Sequence, residues 1–230
     1  RRCGRQRDRP LSRNSGRRPP SRPLRIIGGQ WRGRKLSFTA TPGLRPTGDR
    51  VRETLFNWLQ PVIAGARCLD LFAGSGALGI EAASRGAAEV VLTEIEPAAL
   101  RHLRAQVVSF DADDRLRLVA SDAFRFLAAC GQQFDIVFVD PPFGRGLASR
   151  ACQCLDDYRV LRPGALVYIE TGIDEPAMVL PSGWTWHRRT TAGQVCPGLA
   201  TPPATRSEDN GPRLQQGNPN GHQGNLPGDV

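Results

Sequence analysis

Lysine is almost missing from this 230-residue chain: Lys35 stands alone beside 30 arginines, so nearly every cation is a guanidinium. No apolar run approaches the roughly 18 residues of a membrane span, and no secretory hydrophobic region lies near the start. An Arg-rich start with little acid is transit-peptide-like, but Pro10, Pro19, Pro20 and Pro23 spoil an amphipathic helix there. The six cysteines form no C-x-x-C pair, and Cys152-x-Cys154 is too tight for a zinc knuckle with no histidine near it. These absences set aside membrane, secreted and metal-centred classes. The expectations are free thiols, no metal and a cytoplasmic setting.

What is present suffices for one well-cored domain with disordered ends, since 40% of the residues are hydrophobic. The net charge of +9 is carried entirely by residues 1–25, which hold ten arginines and Asp8 alone. The rest of the chain is balanced. Residues 1–23 therefore read as a disordered arm, either a solvated extension or a phosphate-seeking tail that raises affinity for nucleic acid without selecting sequence. At the other end, residues 197–230 contain six prolines, six glycines and no aromatic residue. Such a segment cannot bury enough apolar surface to offset its ordering entropy, so 196–230 reads as a disordered tail.

Between these ends the pattern becomes regular. Residues 24–38 read as a hairpin with Ile26, Trp31, Leu36 and Phe38 as apolar contacts and Gly33 at the turn. Its tip gathers Arg32, Arg34 and Lys35, a candidate RNA contact beside an active site. A Pro-rich loop completes a 24–48 unit and brings Arg45, Thr47 and, just beyond, Arg50 as further RNA candidates. Thr47 or Asp49 is placed to cap the next helix, whose apolar face runs through Val51, Leu55, Trp58, Leu59 and Val62. Arg50, Arg52 and Glu53 lie off that face.

Over 49–195 strands and helices alternate. Strands are expected at 67–71, 89–94, 115–119, 134–140 and 165–170, with helices at 76–85, 97–109, 121–130 and 146–160. Val/Ile/Leu-rich strands separated by helices imply an α/β domain, a Rossmann-like, mainly parallel sheet covered on both faces. Ligands in such sheets bind beyond the carboxyl ends of the strands. Asp70, Glu94 and Asp140 fall at those ends, and Asp122 lies just past the third.

Two runs carry chemistry. Asp70-Leu71-Phe72-Ala73-Gly74-Ser75-Gly76 reads as a cofactor loop between strand and helix, and Gly74 to Gly79 satisfies G-x-G-x-x-G. A nicotinamide dinucleotide is one reading, but Asp70 would set a carboxylate near its pyrophosphate. S-Adenosylmethionine has no phosphate and carries an ammonium and a sulfonium, which carboxylates attract. Glu94 suits the ribose hydroxyls and Asp122 the adenine amine, with Ile95 and Ala123 flanking the ring. A helix cap or a surface charge is the plainer reading of each acid taken singly.

The second run is Asp140-Pro141-Pro142-Phe143. An exocyclic nucleobase amine is a poor nucleophile because its lone pair is delocalised into the ring. The Asp140 carboxylate and Pro141 carbonyl can both accept its N–H bonds and turn lone-pair density toward a methyl donor. The prolines fix φ, and Phe143 offers a face to an unstacked base. This chemistry alone leaves guanine N2 and adenine N6 open. A non-catalytic RNA-binding assembly factor built on the arm and the basic tip is the remaining alternative.

Taken with Arg25-Ile26-Ile27-Gly28-Gly29, Gly43-Leu44-Arg45-Pro46-Thr47 and the run from Asp49 to Leu59, these motifs resemble the bacterial RsmD family of 16S ribosomal RNA guanine-N2 methyltransferases. The similarity runs from about Leu24 to Val195. It implies a class I methyltransferase fold with a small hairpin extension, and S-adenosylmethionine as donor. It also implies guanine 966 in the 30S particle or its assembly intermediate as target; a monomer is the separate expectation. By motif, Asp70, Phe72, Gly74, Ser75 and Gly76 surround the methionine end, Glu94 holds the ribose and Asp122 reads the adenine. Asp140, Pro141, Pro142 and Phe143 present the guanine amine. One departure stands out: Cys196-Pro197-Gly198-Leu199 replaces the aromatic-containing strand usual there, and Pro197 cannot donate to a ladder. The last antiparallel strand is expected to be shortened or lost.

Overall fold

The structure, a computed structural model, describes residues 24–36 and 48–204. The Arg-rich arm, Arg45, Thr47 and the chain from 205 onward lie outside the described residues. In chain order the elements are α1 (Asp49–Leu59), β1 (Arg67–Asp70), α2 (Ala77–Ser84), β2 (Glu89–Glu94), α3 (Pro97–Phe110) and β3 (Leu116–Ala120). There follow α4 (Ala123–Ala129), β4 (Phe134–Val139), α5 (Leu147–Asp157), β5 (Leu161–Gly172), β6 (Thr185–Arg189) and β7 (Val195–Thr201).

The strands form one sheet in the order β3-β2-β1-β4-β5-β7-β6. β1 to β5 run parallel, while β7 is antiparallel to both β5 and β6. Alternate side chains divide between the two faces, as a pleated strand requires. Cys68, Val90, Ile136, Phe138 and Tyr168 pack under the hairpin, α1, α2 and α3. Leu69, Val91, Val137, Val139 and Ile169 pack against α4 and α5. Strand order reverses between β1 and β4, which opens a crevice beyond their carboxyl ends.

The hairpin is reduced to one bridge, Arg25 to Lys35, closed by Ile26 N–H to Arg34 O (3.0 Å) and Gly33 N–H to Ile26 O (2.9 Å). It is fastened to α2 by acceptors that its own turn lacks. Glu81 accepts from the amides of Ile27 (2.7 Å) and Gly28 (2.8 Å), and Ser84 Oγ accepts from Trp31 N–H (2.9 Å). Gly29 lies against the Ser84 carbonyl so closely that a Cβ would stand 1.9 Å from its oxygen.

Several expectations need correction. The N-cap of α1 is Gly48 with no side-chain bond, because the Asp49 carboxylate is taken by Arg52 at 2.6 Å. Arg52 itself is wholly buried rather than off the packed face. The docked hairpin covers it, and its Nη2 donates to Arg25 O (2.9 Å) while Nη1 lies 3.6 Å from Glu81 Oε2. Val62 is half exposed because α1 ends at Leu59, before the helical face reaches it.

The last strand is not lost. β7 pairs with β5 from Val195–Gly172 through Ala200–Val167, with Pro197 opposite Glu170. The Pro197 carbonyl accepts from Thr190 N–H at 3.0 Å. Backbone N and O of a strand residue face the same side, so the missing N–H of Pro197 faces the mouth of the β6–β7 hairpin, where β6 has ended. The β5 ladder therefore loses nothing to the proline. Gly198 also fits: its missing Cβ would lie 2.4 Å from the Trp186 ring, so the indole lies on the strand. Order thus extends past Val195, and buried Leu199 and Ala200 belong to the two cores.

Candidate active site

The glycine loop leaves β1 at Asp70 and enters α2 at Ala77, with Gly74 and Gly76 both at positive φ (51° and 76°). Gly76 is crowded as well as left-handed, since a Cβ there would meet Leu103 at 2.6 Å. At Gly79 a Cβ would stand 2.3 Å from Leu92 and 3.1 Å from Asp70 Oδ2. The third glycine of the motif thus permits close packing of α2 on β1 and β2. Its amide donates to Asp70 Oδ2 at 2.9 Å.

Asp70 is therefore a buried brace for the loop. Burial, with the nearby charge of Glu94, outweighs the amides of Gly79 and Phe72 and pushes its carboxyl up to about 7. Glu94, at the end of β2, reaches back to the same loop. Its Oε2 accepts from Gly74 N–H (2.7 Å), and Oε1 accepts from Ile95 (2.7 Å) and Glu96 (2.8 Å). Ser75 is buried, with its carbonyl accepting from Gln106 Nε2 at 3.3 Å, and Phe72 meets Phe124 edge-on at 6.3 Å. Ile95 is 60% exposed, an apolar surface left open on the rim.

Asp122 caps α4, Oδ1 accepting from Phe124 (3.0 Å) and Arg125 (3.1 Å), so the plainer reading of this acid is realised too. Both bonds go to one oxygen, and Oδ2 keeps its acceptor sites. Ala123 beside it is buried.

Across the strand-order reversal stands the Pro-Pro run. Phe138 pairs with Asp70 and Val139 with Ile169, so Asp140 emerges two residues past the partner of Asp70 and beside Glu170. Asp140 is half-buried, Pro141 buried, and Pro142 and Phe143 exposed. Phe143 leans on the end of β5, where a Cβ on Gly172 would lie 3.6 Å from its Cγ.

Three residues absent from the sequence reading support this side. Tyr168 donates its hydroxyl to Glu170 at 2.6 Å, and burial followed by the charges of Glu170 and Asp140 raises its phenol well above the usual value. Glu175 accepts from Gly144 N–H (2.6 Å) and Gly172 N–H (2.7 Å), tying the loop after Phe143 to the end of β5. Glu170 was findable as one more acid at a strand end. Glu175 was not, because its role depends on two loops meeting.

The basic residues divide. Arg50, exposed at the start of α1, lines a groove of about 400 Å³ against the β6–β7 turn, on the crevice side. The hairpin tip is elsewhere. It rests on Ser84, Ser109 and Phe110, the carboxyl ends of α2 and α3, which lead into the amino ends of β2 and β3. Arg34 donates to the Ser109 carbonyl and stacks 4.1 Å over Phe110. Arg32, Arg34 and Lys35 thus lie at the rim opposite the crevice rather than beside it, because hairpin docking follows Glu81 and Ser84 down α2.

Comparison with known proteins follows this geometry. A family model described as Conserved hypothetical protein 95 matches residues 24–199. Ribosomal RNA small subunit methyltransferase D of Escherichia coli K12 is 52% identical over 172 residues, 75% of this chain and 86% of the relative. The Haemophilus influenzae protein of the same name is 43% identical over 175 residues, 75% of this chain and 90% of the relative. The solved structure of Escherichia coli yhhF superposes with a TM-score of 0.74 at 47% identity, covering 80% of this chain and 99% of that one. A crevice framed by glycine loop and Pro-Pro run, on a backbone shared with these relatives, makes this chain a member of the RsmD family of Rossmann-like methyltransferases.

Proposed function

We propose that this protein transfers a methyl group from S-adenosylmethionine to the exocyclic N2 of a guanine in 16S ribosomal RNA. We assign the target to guanine 966 and the substrate to the 30S particle or its assembly intermediate, met by a monomer in the cytoplasm. The observation that carries the reading is the register that sets Asp140 two residues beyond the β4 partner of Asp70, so donor loop and amine clamp share one crevice. The names of the relatives support the choice of ribosomal RNA.

The donor set fits S-adenosylmethionine. Segments 70–76, 94–96 and 120–123 contain the carboxylates of Asp70, Glu94, Glu96 and Asp122 and no basic residue. A pyrophosphate would meet only like charge there, whereas a cationic ligand is attracted. When bound, S-adenosylmethionine supplies a methyl group activated by its sulfonium.

The chain supplies orientation. Glu94 has the lone pairs for ribose hydroxyls, Asp122 Oδ2 is an acceptor for the adenine amine, and Ile95 and Ala123 offer apolar flanks. The Phe72, Gly74, Ser75 and Gly76 loop closes the methionine end. Asp140 and the Pro141 carbonyl accept the two N–H bonds of the substrate amine while Pro142 holds the turn and Phe143 stacks the flipped base. Asp140 also accepts the proton the amine sheds. Well-aligned geometry of this kind contributes roughly 7–11 kcal/mol to rate.

Labelled methyl transfer tests the reading. Undermodified 30S particles incubated with enzyme and labelled donor are expected to yield N2-methylguanosine on nucleoside digestion. Incorporation as N6-methyladenosine would move the enzyme to the other amine class, and no incorporation would favour the assembly-factor alternative.

A further inference from the structure

We infer that the groove between α1 and the β6–β7 turn is the track for the RNA strand flanking the target guanine, with Arg50 and Arg188 as its phosphate contacts. The inference rests on the rRNA reading above and names the surface that would hold the substrate.

Position comes first. One wall is Arg50 and Thr54 of α1, the other Thr190 and Thr191 at the turn, and Pro197 lines it as well. Pro197 pairs with Glu170, itself beside Asp140, so the groove begins two strands from the amine clamp. Two inter-strand spacings are about 10 Å, within reach of nucleotides next to a flipped base. The hairpin tip, at the opposite rim, has no such access.

Chemistry agrees. Among the described residues the groove is lined by one cation and no carboxylate. β6 extends the outer wall, and its His187, Arg188 and Arg189 are all exposed. Arg188 pairs with Leu199, which belongs to the core on the α1 side, whereas Arg189 stacks 5.0 Å over Trp186. Arg188 therefore stands on the groove face. The hydroxyls of Thr190 and Thr191 suit sugar and phosphate oxygens, while that of Thr54 donates to the Arg50 carbonyl at 2.9 Å. α1 starts here at Gly48, whose carbonyl takes the amides of Val51 (2.9 Å) and Arg52 (3.0 Å), so only the amides before Val51 are left to face an incoming phosphate. Asp49, the one acid in its first turn, is held by Arg52 at 2.6 Å.

Phosphate contacts differ from base contacts in a measurable way: each neutralised phosphate adds about one to the slope of log affinity against log salt. The full chain and its R50A, R188A, R50A/R188A and R32A variants are titrated against undermodified 30S particles between about 50 and 200 mM salt. The expected result is a slope reduced by about one in each groove variant and about two in the double variant, with R32A matching the parent. The KM for the particle rises several-fold in R188A while S-adenosylmethionine affinity, read by calorimetry, holds. Both arginines are exposed, and cofactor binding reports that the variants are folded. Equal slopes in parent and double variant, or a loss confined to R32A, would overturn the inference. Methyl transfer by the parent on the same particles is read separately, so failure of the groove and failure of the proposed reaction are distinguishable.

Discussion

Glu94 and Gly74 meet across 2.7 Å, the glycine amide donating to one oxygen of the carboxylate. The other oxygen accepts the amides of Ile95 and Glu96, so one side chain shapes two loops that frame the crevice. Replacement by glutamine turns an N–H₂ toward at least one of these donors, and alanine leaves all three without an acceptor. Hydrogen bonds to a charged group are worth about 1.5–3 kcal/mol, roughly 10- to 100-fold in affinity. Calorimetric titration of E94Q and E94A with S-adenosylmethionine is expected to show losses in this range, larger for alanine. Parental affinity in E94A would remove Glu94 from the donor site.

In the proposed reaction Asp140 grips the substrate amine, across the strand-order reversal from the donor loop. D140A is expected to lower turnover by a factor of about 10² to 10⁴, the usual scale for a positioned acceptor of a transferred proton. Cofactor affinity should stay within a few-fold of the parent. A parallel collapse of cofactor binding would place Asp140 in the donor site instead.

Asp70 gives the fold a pH signature. Its carboxyl titrates near 7 in the folded state against an ordinary value of 3.8. Between those values the unfolded chain has released the proton that the folded chain retains. Folded stability from this group is therefore full below about 4, declines as pH rises toward 7, and is level above it. The span corresponds to roughly 4 kcal/mol at most. D70N keeps an acceptor for the Gly79 amide, and its Tm measured from pH 4 to 8 is expected to fall less steeply than that of the parent. Identical slopes would mean that Asp70 is ionised throughout.

Alternation of apolar runs and helical stretches made the parallel half of the sheet legible. The 89–94 strand matches β2, and the helix at 97–109 differs from α3 by one residue. Strand-end acids marked the crevice because in a parallel sheet one rule places them all at the same rim. Partners distant in sequence were not legible. Arg52 reads as a surface charge until the hairpin closes over it and Glu81 comes up from α2. The basic tip reads as lying near the site because sequence gives it no direction; the amide bonds to Glu81 and Ser84 carry it to the other rim. Pro197 reads as a strand breaker because the side its nitrogen faces depends on a register set by Val195 and Gly172.

The buried pair offers an ordering of variants. Glu81 accepts from Ile27, Gly28 and Arg85, while Arg52 has Nε and Nη1 without a hydrogen-bond partner among the described residues. Removing the carboxylate strands two guanidinium groups and frees the hairpin. Removing Arg52 leaves Glu81 paired with Arg85 at 2.7 Å. Urea unfolding is expected to show a loss of about 3–5 kcal/mol for E81A and a smaller loss for R52M. Limited proteolysis of E81A should cut first near the hairpin. The reverse order would mean that Arg52, not Glu81, anchors that unit.

The most direct test of a methyl donor and a guanine amine meeting at Asp140 is mass-spectrometric mapping of 16S ribosomal RNA from 30S particles treated with the parent enzyme and with D140A. One added methyl group on N2 of a single guanine, at position 966, is the expected result for the parent, and none for D140A. A methyl group on an adenine N6, or equal modification by both proteins, would contradict the account.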